Sequence, residues 1–141
     1  MTILDKMIFN KTSIPVLRKA LDAYYLRSQV IANNIANVST PGYRRREVRF
    51  EEYLRDVLDR KIKGYKTDPK HLPIGSRDID EIEPEVYVPD DDNMYSGVNN
   101  VDIDEEMAKM AENQILYNMG VKFLNFQYNS LKKAITSRTQ Y

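Results

Sequence analysis

The sequence predicts a mainly α fold. A long helix near each terminus should form an antiparallel coiled-coil-like pair, around an irregular middle segment of a short helix, loops and a short strand. Three observations carry this expectation. Near the C-terminus apolar residues recur in steps of four and three over more than four heptads. The same rhythm follows Pro15 near the N-terminus. Between them Pro69, Pro73, Pro84, Pro89, Gly75 and Gly97 punctuate a stretch with few apolar clusters. The chain therefore divides into an N-terminal helical segment (1–43), a polar middle (44–100) and a C-terminal heptad helix (101–141).

In the C-terminal helix the seam reads Ile103, Met107, Met110, Gln114, Tyr117, Val121, Leu124, Tyr128, Leu131 and Ile135. Asp102 is placed to cap its start, with Glu105 as the reaching partner of a capping box. Acidic Asp104, Glu105 and Glu106 open the helix and Lys132 and Lys133 close it, as the helix dipole favours. Gly120 costs about 1 kcal/mol relative to alanine in such a helix, so its presence implies close approach by another backbone. Roughly 35 residues make a rod about 50 Å long, which suits an elongated assembly better than a small globule.

The N-terminal helix should start with Ser13 as cap and Pro15 in the first turn. Its seam is Leu17, Leu21, Tyr24, Ser28, Ile31, Ile35 and Val38. Thr40 precedes Pro41, which disfavours helical backbone there, so the helix should stop near Val38. Pro41 and Gly42 suit the two central positions of a type II turn. An antiparallel register whose facing residue numbers total 152 matches every layer of the two seams, among them Tyr24 with Tyr128 and Ile31 with Val121. In the middle, Phe50, Tyr53, Leu54, Val57, Leu58 and Ile62 fit a short helix from Val48 to Lys63 that ends at Gly64. Glu85 to Val88 fits a short strand.

Composition narrows the function. Of the 141 residues 30% are charged, the formal net charge is zero, and there is no cysteine. Neutrality argues against general nucleic-acid or membrane-surface binding, and the absence of cysteine excludes disulfides and cysteine-based zinc sites. No apolar run approaches the roughly 20 residues of a membrane helix. Met1 to Val16 is broken by Asp5, Lys6, Asn10 and Lys11, so no cleavable signal is expected.

Catalytic chemistry has little to build on. The one histidine, His71, lies in a loop beside Pro73, and Asp90 to Asn93 lacks the spacing of a calcium loop. No catalytic, cofactor-binding or metal residue is expected, and no cofactor. Arg44, Arg45, Arg46 and Arg49 lie beside Tyr43 and Phe50, a pattern that suits single-stranded nucleic acid. Against it stand Glu47 and the eight carboxylates between Asp78 and Asp92, so pairing between subunits is favoured. The heptads alone would also allow a cytoplasmic coiled-coil adaptor.

The stretch Asn33-Asn34-Ile35-Ala36-Asn37-Val38-Ser39-Thr40-Pro41-Gly42-Tyr43 resembles the N-terminal signature of the flagellar rod and hook proteins, A-x-N-[IL]-A-N-x-x-T-P-G-Y. Asn99 to Glu106, followed by Tyr117 to Gly120, is similar to the end of a proximal-rod member. Thr67 and His71-Leu72-Pro73 add to the likeness. The resemblance implies a structural subunit of the bacterial flagellar basal-body rod that self-assembles into a drive shaft enclosing the export channel. It implies export through the flagellar type III apparatus to the periplasmic space. Other copies of itself and other rod, rod-base and MS-ring proteins would be its partners, without nucleic acid or direct membrane insertion. The family's export element is a phenylalanine with an aliphatic residue four positions on. Phe9 is the candidate, with Ser13 at that spacing and Ile14 one residue later.

On this reading the assembly interface is drawn from both seams and the signature. The N-terminal part supplies Leu17, Leu21, Tyr24, Ile31, Asn34, Ile35, Asn37, Pro41, Gly42 and Tyr43. The C-terminal part supplies Met107, Met110, Tyr117, Gly120, Val121, Leu124, Tyr128, Leu131 and Ile135. Asn34 and Asn37 have two readings, as polar residues at a helix end or as groups bonding neighbouring backbone in the tube wall.

Overall fold

The computed structural model describes residues 13–59, 79, 82–90 and 99–137. Five elements follow in order: α1 (Ile14–Ala36), β1 (Glu47–Arg49), α2 (Glu51–Asp59), β2 (Glu85–Tyr87) and α3 (Ile103–Ser137). The two long helices pack against each other as expected, with a short strand pair between them in sequence. Phe9, Thr67, His71, the end of the predicted middle helix at Gly64 and the acidic residues Asp91 and Asp92 lie outside the described residues.

Helix α1 begins where Pro15 allows it, with Ser13 at the cap position and the first backbone bond from Leu17 N–H to the Ser13 carbonyl, 3.0 Å. Ser13 makes no side-chain cap bond, so that expectation is corrected. The helix closes at Ala36, two residues before Val38. Its last turn tightens as Asn37 N–H reaches the carbonyls of Asn33 and Asn34, and Val38 N–H that of Ile35. Thr40 to Tyr43 is a β-turn closed by Tyr43 N–H to the Thr40 carbonyl, 3.3 Å. Gly42 takes the positive φ of +72° that this turn requires.

The strand at Glu85–Tyr87 forms, and its antiparallel partner is Glu47–Arg49, with Val48 opposite Val86. The predicted helix from Val48 is thereby corrected to a strand followed by α2 from Glu51. Strand β1 is three residues long, and its hydrogen bonds go to a segment nearly forty residues away, so no local period announces it. Val48 and Phe50 are buried, and Phe50 forms a small core with Ala23 of α1 and Ile82, flanked by Ala20, Tyr53 and Leu54. Arg27 ties α1 to α2 through both oxygens of Glu51, at 2.7 and 2.6 Å.

Asp102 caps α3 as its sequence position suggests, its carboxylate accepting from the N–H groups of Asp104 and Glu105. Glu105 is engaged elsewhere, by Arg45 and Lys109, rather than as the reaching partner of a capping box.

The interhelical register differs from the predicted one. Asn34 bonds Glu106, and Gly120 lies under Leu21, so facing residue numbers total about 140 rather than 152. The shift of twelve residues is about 18 Å along the axis. Ile31 lines a cleft with Lys109 and Asn113 instead of meeting Val121, and Tyr128 is exposed rather than stacked on Tyr24. The seam residues alone admit several registers. Polar and small residues select one: Asn34 on Glu106, Asn113 on the Tyr24 carbonyl, and Gly120 beneath Leu21. No helix among the described residues is long and apolar enough to cross a membrane.

Candidate functional site

Two features stand out: a latch built on the Asn34–Tyr43 stretch, and an apolar stripe on the outward side of α3. The latch starts from Asn34, which has no exposed surface. Its amide nitrogen donates to the Arg46 carbonyl at 2.8 Å and to Glu106 Oε2 at 2.9 Å. Its oxygen accepts from Tyr43 Oη–H at 3.0 Å and from Arg46 N–H at 3.1 Å. An amide offers two donors and two acceptor sites, and all four are used. The tight turn at Pro41-Gly42 is what returns Tyr43 and Arg46 to Asn34. In the single chain Asn34 spends its hydrogen bonds on Arg46, Glu106 and Tyr43.

Asn37 holds the turn from beneath, donating to the Asn33 carbonyl and accepting from Thr40 Oγ1–H. Asn99 closes the end of α1 from the other side. Its amide nitrogen lies 2.8–3.1 Å from the carbonyls of Asn37, Val38 and Thr40, just past the end of α1. Asn100 accepts from Arg45 N–H at 2.8 Å. The stretch before α3 is thus fastened to the end of α1 by side-chain amides, and Val101 is buried beneath.

A charged cluster flanks the latch. Arg45 is nearly buried and reaches Glu105 at 3.0 Å and Glu47 at 3.6 Å. Lys109 bridges Glu47 at 2.8 Å and Glu105 at 2.7 Å. Burial alone would raise the Glu47 carboxyl, but hydrogen bonds from Lys109 and Tyr87 overcome it and hold it below the usual carboxylate range. The Lys109 hydrogen bond also lowers Glu105. Glu106 goes the other way: burial raises it, and the Asn34 hydrogen bond only partly opposes. Arg49 lies over the Tyr87 ring, 4.4 Å from its centre, and pairs with Glu52. Arg45 and Arg49 therefore find acidic partners within the chain, which weakens both the nucleic-acid reading and the expected role of this cluster in joining subunits.

The second feature is a division of α3 into two faces. Facing α1 are Glu106, Asn113 and Gly120, seven residues apart and all buried. Around them Met110, Tyr117, Val121 and Leu124 are half-buried, as are Leu17, Leu21, Tyr24 and Ile35 on α1, while Ile31 is buried. Leu131 is also half-buried, whereas Met107, Tyr128 and Ile135 of the predicted seam are exposed, as are Pro41 and Gly42. On the outward side Ile115, Met119, Phe123 and Phe126 are 49–66% exposed. Their spacing of four, four and three puts them on one stripe. That stripe and the polar heptad Glu106–Asn113–Gly120 were missed in the sequence, although both spacings are present there. The stronger seam between them drew the assignment.

Comparison with known proteins agrees with the Asn34–Tyr43 stretch. The family described as Flagella basal body rod protein matches residues 16–44. The flagellar basal body rod protein FlgB of Bacillus subtilis (strain 168) is 35% identical over 124 residues, covering 88% of this chain and 93% of the relative. FlgB of Borreliella burgdorferi is 31% identical over 113 residues, covering 76% and 83%. FlgB of Escherichia coli K12 is 29% identical over 126 residues, covering 85% and 90%.

Proposed function

Because the chain belongs to the FlgB family of flagellar basal body rod proteins, we propose that it is a non-catalytic building block of the proximal rod, held in the rod wall through the outward face of α3. The observation that carries this reading is the apolar stripe Ile115, Met119, Phe123 and Phe126, which α1 leaves uncovered. Four large side chains on one face, 49–66% exposed, offer apolar surface to drive association, each worth roughly half of the 1.5–3 kcal/mol that complete burial of such a side chain gives. Contiguous apolar surface of this kind marks protein contact. The end of α3 adds to it. Because facing numbers total about 140, α1 reaches only to about residue 126 of α3, and Tyr128 and Ile135 lie beyond its start.

In this role the rod acts as a drive shaft around the export channel, between the MS ring and the distal rod. The subunit arrives there through the flagellar type III apparatus and works in the periplasmic space. Its partners are further copies of itself and other rod and rod-base proteins. The latch fixes the angle between α1 and α3, so that a rigid unit transmits torque rather than a flexible hairpin.

The test is recovery of the chain in purified basal bodies. The wild-type chain should co-purify with the rod. Phe123→Glu should fold but be absent from it, leaving cells non-motile. Wild-type chain found only in the cytoplasm would sink the rod reading in favour of a soluble coiled-coil adaptor.

A further inference from the structure

Helix α3 outruns its partner. Asn34 meets Glu106 and Leu21 meets Gly120, so α1, which begins at Ile14, reaches only to about residue 126 of α3. The remainder of α3, to Ser137, runs on for roughly 16 Å. That end is apolar on one side. Tyr128 is 48% and Ile135 67% exposed, with half-buried Leu131 between them. Spaced three and four, the three share one side of the helix. The line that faces α1 through Glu106, Asn113 and Gly120 continues at the same spacing through Gln127 and Ala134.

The chain itself supplies a segment of matching length and pattern. Residues 1–12, outside the described part, would span roughly 18 Å as a helix. Read backwards from Leu21 and Leu17, the four-three rhythm of α1 passes Ile14, Asn10, Met7 and Ile3. At helical spacing Leu4 and Ile8 join Ile3 and Met7 on one side, while Thr2, Asp5 and Lys6 take the other. Phe9 falls outside this stripe. Ile14 is buried, so the apolar seam is still covered at the first residue of α1. Ser13, with φ −76° and ψ 0°, stays close to helical backbone, so the preceding chain heads on along α3 rather than doubling back. Pro15 interrupts the helix there, which lets the segment pack at its own angle.

We propose that residues 1–12 dock on the end of α3 within the same chain, as an amphipathic segment whose Ile3, Leu4, Met7 and Ile8 cover Tyr128, Leu131 and Ile135. Keeping the register of α1 sets Asn10 beside Leu131 and Met7 beside Ala134. A helix of this length is marginal in water, so packing on α3 is what orders it. The chain's own segment is favoured over a second copy because it is tethered beside the site. A short tether gives an effective concentration of about a millimolar, far above that of a second copy in dilute solution. The proposal does not depend on the rod reading. Within a rod it makes the end of α3 a two-segment surface rather than a bare helix.

The absence of cysteine makes the test direct. The dilute full chain carrying Met7→Cys and Ala134→Cys is oxidised mildly, and disulfide formation within the monomer is timed. The control pair, Met7→Cys with Lys132→Cys, sits at the same level but on the opposite side of α3. A disulfide needs Cα atoms within about 7 Å, so the first pair should close at least tenfold faster. Adding Leu131→Asp, beyond the reach of α1, should slow it about tenfold while leaving the α1 amide spectrum unchanged. Equal rates for the two pairs, or no effect of Leu131→Asp, overturn the proposal.

A second measurement needs no change in α3. A nitroxide attached through Met7→Cys should broaden the amide resonances of residues 128–136 and spare those of 115–123. Broadening elsewhere, or none, overturns the docking. Mixing nitroxide-bearing chain with isotopically labelled, nitroxide-free chain separates the two occupants. Broadening of 128–136 in that mixture means that a second copy covers the end of α3 and overturns the intrachain proposal. None of these measurements uses a rod, so their failure leaves the rod reading standing, and absence of the chain from basal bodies leaves the docking standing.

Discussion

The two faces of α3 invert the usual arrangement. The face that meets α1 is centred on a carboxylate, an amide and a glycine, whereas the face turned outward carries Ile115, Met119, Phe123 and Phe126. Within the subunit, polar bonds of fixed geometry set one register. Apolar surface, which is non-directional, is left over for contact with something else. Hydrophobic burial adheres but does not specify where along a helix it adheres. Buried hydrogen bonds specify register because every alternative alignment leaves them unpaired. The comparison predicts that variants of the inner face change stability, and variants of the outer face change assembly.

The largest effect should come from the outer face. Phe123→Glu is expected to leave the isolated chain within about 0.5 kcal/mol of wild type, as surface substitutions usually do. It should abolish incorporation into basal bodies, because it places a charge in the centre of an apolar contact. Urea unfolding and basal-body purification measure the two quantities. Loss of monomer stability by several kcal/mol would erase the distinction between the faces.

Asn34→Ala should be the most damaging change to the subunit itself. It strips partners from the Arg46 N–H and carbonyl, from Tyr43 and from buried Glu106, with an expected cost of about 3 kcal/mol. Asn34→Asp should fare no better. It removes the donor to Glu106 and sets a second carboxylate 2.9 Å away. Near-native stability of either variant by chemical denaturation would show that the latch does not hold the helices.

Proton linkage sharpens the comparison further. Glu47, Glu51 and Glu105 titrate below their ordinary range in the folded chain. Their stabilisation is therefore present above the unfolded carboxylate value of about 4.3 and is lost as pH falls through their lower folded values. Glu106 has the opposite sign. Its ionised form subtracts stability above its raised folded value, and the deficit vanishes as pH falls toward the unfolded one. Stability should thus rise slightly as pH falls through the raised Glu106 value, then fall as it passes through the lowered values of Glu47, Glu51 and Glu105. Glu106→Gln should flatten the upper limb and leave the acid limb. Urea midpoints across this range would reveal either limb missing.

The smallest effect is expected at Gly120. A Cβ there would sit 2.9 Å from Leu21 Cδ2, the free end of a flexible side chain that can turn aside. Gly120→Ala gains about 1 kcal/mol of helix propensity and loses a similar amount in repacking Leu21, so the net change should stay within about 1 kcal/mol. A midpoint shift much larger than this would mean that Leu21 cannot move and that the helix approach is fixed at this point.

Much was legible without coordinates because its causes are local. Pro15, the Thr40–Pro41 pair and Asp102 placed the helix ends to within a few residues, since each acts on the backbone beside it. Gly42 announced its turn because the positive φ that its position demands disfavours most other residues. The paired long helices followed from periodicity, and the Asn34–Tyr43 stretch carried the family. What the tertiary structure alone decided is which side of each helix faces which. Several registers satisfy the same heptads, and only the partners of Asn34, Asn113 and Gly120 choose among them, across separations of seventy to a hundred residues. Strand β1 was hidden for the same reason, its partner lying far along the chain. Pattern in sequence reports that a face is apolar; what covers that face is settled by long-range hydrogen bonds whose two halves carry no mark of each other.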